Sequence, residues 1–159
     1  MKAYSWQVNA LWFYLRMVMS RQLDGLATET QASLRRVIAG QSDPLETEAL
    51  QKILQIRSIL HNSKREFDLE DYGAGSGKLP QRRTVAAIHR TSAVPHWWGV
   101  FLFRLVRELK PERVLELGAN LGVSAAYIQS AMLLNGNSGH LTTIEGIRCS
   151  PRSHARRSI

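Results

Sequence analysis

The sequence predicts an α/β protein: a helical N-terminal region followed by a strand, a helix and a second strand. Three observations carry that prediction. Residues 113–117 (RVLEL) and 140–144 (HLTTI) are short runs of Val, Leu, Ile and Thr between turn signals, the pattern of strands. Between them, 123–134 (VSAAYIQSAMLL) sets apolar and small residues at helical spacing, and is entered through a turn holding Gly118 and Gly122. Ahead of both, apolar residues recur at helical spacings through most of the first 110 positions.

Residues 1–62 read as the helical N-terminal region. Across 5–38, Leu11, Leu15, Val18, Leu23, Leu26, Leu34 and Val37 supply the apolar positions, and Gly25 breaks them into two helices. The apolar run LWFYLRMVM is too short to span a bilayer. Gln7, Asn9 and Arg16 interrupt its surroundings, and no small-residue cleavage site follows, so no membrane partner is expected. A further helix is expected over 45–60, with Asp43 as its cap and Pro44 in its first turn. Its stripe of Leu50, Ile53, Leu54, Ile56, Ile59 and Leu60 is read as core.

Residues 63–83 are expected to form an exposed loop. The stretch from Asp71 to Lys78 (DYGAGSGK) looks like a phosphate loop, but Leu79 and Pro80 follow where Ser or Thr should head a helix. The preceding KREFDLED is too charged for a buried strand. A basic helix over 84–91, a linker over 92–95 and an amphipathic helix over 97–110 come next. In the last, Trp97, Phe101, Leu105 and Leu109 recur every four residues beside Leu102 and Val106, predicting a broad face buried on the sheet. Core packing is favoured over a ligand wall for His96, Trp97 and Trp98. Pro111 ends this helix ahead of the strand.

The RVLEL strand reads as buried on both faces. Gly118 and Gly122 permit a sharp turn and close approach of a ligand to the backbone, ahead of a helix whose first N–H groups are free. Ser124 is expected to cap that helix. If the two strands are parallel neighbours joined by a right-handed crossover, Glu145 lies beside the turn, its two oxygens matching the hydroxyls of a ribose. Carboxylates at both strand ends, Glu116 and Glu145, favour a ligand site over a merely structural turn.

The sequence Gly118-Ala-Asn-Leu-Gly122 fits a dinucleotide fingerprint poorly. It resembles instead the first motif of the class I S-adenosylmethionine-dependent methyltransferases: an acidic residue, one more residue, then glycines at alternate positions, as in Glu116, Gly118, Asn120 and Gly122. Asn120 replaces the middle glycine, and asparagine tolerates left-handed backbone better than most residues. The order of features over about 60–146, with DYGAGS well ahead of this motif, is similar to that of a bacterial subgroup of the family. The resemblance implies a Rossmann-like sheet and S-adenosylmethionine as cofactor. It puts Glu116 near the methionine end, Glu145 at the ribose, and Gly118, Ala119, Asn120 and Gly122 in the backbone cradle, with Ser124 and Gly146 also expected to bind the cofactor. Methyl transfer to a small-molecule acceptor is the implied reaction, in which the protein mainly aligns the reactants. No catalytic residue can be named. The family sheet has seven strands, and 84–146 would hold only its opening unit, so a truncated, inactive fragment is one expectation. An enzyme completed by another chain is a second.

The net charge is +8, and residues 147–159 (IRCSPRSHARRSI) hold four arginines and no acid. That tail is expected to be disordered. A basic nucleic-acid-binding module is the alternative function, disfavoured because no aromatic residues interleave with the arginines. Cys149 is the single cysteine, which excludes disulfides within the chain and a cysteine-based zinc site. With His89 and His96 isolated in sequence, no metal is expected, and a reducing cytoplasmic setting is the simplest match. For the N-terminal helices three uses stay open: packing on the sheet, covering the pocket, or joining copies in a homo-oligomer.

Overall fold

The computed structural model describes residues 28–40, 43–71, 81–136 and 139–151. The readings that fall on 5–27, on Tyr72 to Pro80 and on 152–159 lie outside them. The chain is mixed helix and strand: α1 (Thr28–Ala39), α2 (Pro44–Asn62), β1 (Glu66–Asp71), β2 (Gln81–Thr84), α3 (Val85–Ser92), α4 (His96–Leu109), β3 (Arg113–Leu117), α5 (Val123–Leu134), β4 (His140–Ile144) and β5 (Ile147–Pro151).

Local chemistry sets these boundaries. Asp43 Oδ1 accepts the Glu46 N–H at 2.7 Å, and Pro44 opens α2, where a missing N–H costs nothing. Thr84 caps α3 through the Ala87 N–H at 3.1 Å. At the end of α4, Lys110 takes a left-handed conformation directly before Pro111.

The core joins Ile53 of α2, Phe103 and Val106 of α4, and Val123, Tyr127, Ile128, Ala131 and Met132 of α5. Each large buried side chain contributes roughly 1.5–3 kcal/mol by leaving water. Of the broad α4 face expected on the sheet, Val106 is buried, but it is joined by Gly99 and Phe103 rather than by Trp97, Phe101, Leu105 and Leu109, and the core it enters is shared with α5. Gly99 decides this. The Tyr127 ring fills the room a side chain there would need, for a Cβ would lie 2.3 Å from its Cε2. Leu109 is left exposed, and Trp98 stacks on Phe101 with centroids 4.9 Å apart. The stripe of α2 is likewise only partly core: Ile53 is buried while Leu54, Ile56 and Ile59 are exposed.

Ion pairs fasten α1 and α2 to α4. Arg104 meets the buried Glu46 at 2.8 Å, Arg107 meets Asp43 at 3.3 Å, and Arg36 pairs with Glu108. Gly40, at φ +49°, leaves space for the Arg104 guanidinium: a Cβ would fall 1.7 Å from its Nη1.

Two small sheets complete the described residues. β3 and β4 run parallel with Val114 opposite Leu141 and Leu117 opposite Ile144, and α5 connects them. β1 is the middle strand of an antiparallel sheet in the order β2-β1-β5. Three expectations are corrected here. Residues 63–83 are not simply a loop, since they hold β1 and β2, and 147–151 of the supposed disordered tail form β5. In register, the EFDLED strand lies between QRRT and IRCSP, and across the β1–β2 pair Arg82 Nε stands 3.1 Å from Glu66 Oε2. Finally, β3 is not covered on both faces. Leu115, Leu117 and Ile144 are 61, 75 and 53% exposed, because among the described residues the helices cover only the Val114 and Leu141 side.

Candidate functional site

Parallel pairing brings the C-terminal ends of β3 and β4 to one rim, and the Gly118 N–H extends the ladder by donating to Ile144 O at 2.7 Å. The chain then turns through left-handed backbone at alternate positions: Gly118 at φ +87°, Asn120 at φ +48° and Gly122 at φ +71°. Ordinary side chains resist that region, so the spacing of these three residues has a conformational cause. Nothing lies within 4 Å of where a Cβ would stand on Gly118, Gly122 or Gly146, so the backbone is open to an approaching group at each.

The helix that follows begins without a side-chain cap. Gly122 occupies the cap position, and Ser124, expected there, sits inside the first turn of α5. A cap needs extended backbone two residues earlier in the turn, and the left-handed Gly122 takes that place. Ser124 instead faces a cavity of about 130 Å³ between the linker 92–94 and the turn 118–124. Ligand pockets usually measure roughly 300–1,000 Å³, so this cavity is too small to enclose a whole cofactor-sized molecule.

The two carboxylates differ. Glu145 lies just beyond β4 and accepts the Asn120 N–H, which ties the rim of one strand to the turn after the other. Glu116 shares the helix-facing side of β3 with Val114, and both its carboxylate oxygens are enclosed without a hydrogen-bond partner. An enclosed, unsatisfied carboxylate is costly, and an unpaired group of this kind calls for a donor that a ligand can supply. Neither carboxylate lines the small cavity itself.

A polar cluster behind the cavity escaped sequence reasoning. Arg57 of α2 donates to the Val94 carbonyl at 2.7 Å, and its charge acts on the Tyr127 hydroxyl. That hydroxyl is joined to His96 Nδ1 at 2.7 Å. Burial, aided by the Arg57 charge, pushes His96 below its ordinary value, and burial raises Tyr127 against the opposing influence of Arg57. These residues lie between positions 57 and 127, and no motif announces them. Trp98 contacts both Trp97 and Phe101, and none of the three lines the cavity.

Among the described residues, no group of three or more His, Cys, Asp or Glu could hold a metal ion, and no helix is long and apolar enough to cross a membrane. No protein-family model, curated protein or solved structure matches the chain.

Proposed function

We propose that β3, α5 and β4 are the opening unit of a Rossmann-like sheet and bind S-adenosylmethionine at the rim between Glu116 and Glu145. The reading rests on the sequence resemblance. One observation supports it above others: the left-handed turn 118–122 presents open backbone between an enclosed, unpartnered Glu116 carboxylate and a Glu145 carboxylate already fastened to that turn. The residues fit the cofactor in kind. An ammonium group would satisfy the orphaned oxygens of Glu116, and Glu145 keeps acceptor capacity suited to vicinal hydroxyls. The cofactor, when bound, supplies an activated methyl group.

On this reading the chain's own part is placement. Gly118 and Gly122 let the ligand reach the backbone, the first N–H groups of α5 face it, and the 92–94 linker closes one side of the cavity. The proposed activity is methyl transfer to a small-molecule acceptor in a reducing, cytoplasmic setting. No side chain at the rim is assigned as a catalytic base.

Calorimetric titration with S-adenosylmethionine, and separately with its demethylated product, tests the binding. Saturable heat with both at millimolar concentration or below is expected. Absence of binding to either sinks the reading. Transfer of a labelled methyl group to small-molecule acceptors then tests the activity itself.

A further inference from the structure

His89 of α3 is 7% exposed, and neither ring nitrogen has a hydrogen-bond partner. A buried imidazole normally finds at least one partner, so this ring calls for an explanation. Its neighbours supply one. His61 of α2 meets it edge to face with centroids 5.7 Å apart, and the charge of Arg57, also on α2, acts on it. β2 also packs on α3 and carries Arg82, paired with Glu66, and Arg83. On α3 itself, Arg90 is exposed. The groups acting on His89 are therefore cationic or able to become so.

The charge of the same arginine acts on His96 as well. His96 Nδ1 shares a 2.7 Å hydrogen bond with the Tyr127 hydroxyl, whose proton it can accept only while that nitrogen is unprotonated. The segment between the two histidines, 90–95, includes the linker that Arg57 grips through the Val94 carbonyl. The same linker walls the cavity beside the glycine turn.

We propose that α3 and the 92–95 linker form an acid-sensitive latch, held shut on α2 while His89 and His96 are neutral and released when they gain protons beside Arg57. Release opens the wall of the cavity, whatever ligand the cavity takes. The sign follows from the closed state. Burial and the Arg57 charge hold both histidines below their ordinary value near 6.5, so the open state binds more protons, and the latch weakens as pH falls through and below that value.

Hydrogen exchange of the full chain, read by segment from pH 7.5 to 5.0 and corrected for intrinsic exchange chemistry, tests the latch. Protection of 85–95 is expected to fall about tenfold per pH unit for one histidine and up to about a hundredfold for two, while 99–106 and 127–132 keep theirs. In His89→Phe the slope should drop by about tenfold per unit. Loss of protection in 85–95 only together with the core, or an unchanged slope in His89→Phe, overturns the proposal. Should that variant fail to fold, ring NMR of the wild-type histidines decides. His89 staying neutral below pH 6.5 until 85–95 opens supports the latch, and His89 titrating near 6.5 with 85–95 still protected refutes it.

Discussion

The first turns of α2 and α5 are built in opposite ways. At α2 a side chain does everything: Asp43 accepts the Glu46 N–H with one oxygen and meets Arg107 with the other, and Pro44 removes a donor that would have no partner. At α5 the entry is backbone alone, with left-handed Gly122 at the cap position and open space around it. The carboxylate nearby, Glu145, comes from another strand and holds the turn through Asn120. A helix start whose donors are met internally is structural. One left open beside an unpaired acid is where a ligand would add most.

Substitutions sharpen the contrast. The largest expected effect lies on the α2 side, where Arg104→Met strands the buried Glu46 carboxylate and should lower stability by about 3–5 kcal/mol in denaturant unfolding. The same change should leave ligand binding at the rim intact in the folded fraction. Glu145→Ala is the converse. Its side chain is exposed, so stability should change little, while affinity for S-adenosylmethionine falls by about 1.5–3 kcal/mol in calorimetry. Equal affinity in the variant would remove Glu145 from the site.

Asp43→Ala should cost about 1 kcal/mol of stability through the lost cap, with an addition for Arg107, and nothing in binding. Smallest is Leu117→Lys, on the bare face of β3. Stability should shift by less than about 0.5 kcal/mol, and any self-association seen by light scattering should diminish. Increased association would mean that this face is not what brings copies together.

The two helix starts were also unequally legible. Asp43-Pro44 and the 113–144 segment declared themselves because proline, glycine and β-branched residues act locally, and β3, α5 and β4 fall where those residues put them. What the sequence concealed depends on partners distant in the chain. EFDLED looks like a solvated charge run until the basic strands from 81 and 147 flank it. The α4 face could not be chosen without knowing that Gly99 admits Tyr127. Likewise, the bare face of β3 follows from what covers a sheet, and its five residues alone read as buried. Within the site, the alternating left-handed turn was visible as Gly118, Asn120 and Gly122. Ser124 misled because serine suits caps in general, and a left-handed glycine had already taken the position.

The most direct test of the rim is amide NMR of the whole chain during titration with S-adenosylmethionine. Saturable shifts concentrated at residues 118–124 and 145–146 are predicted. Shifts confined to other parts of the chain, or none at millimolar ligand, would contradict it.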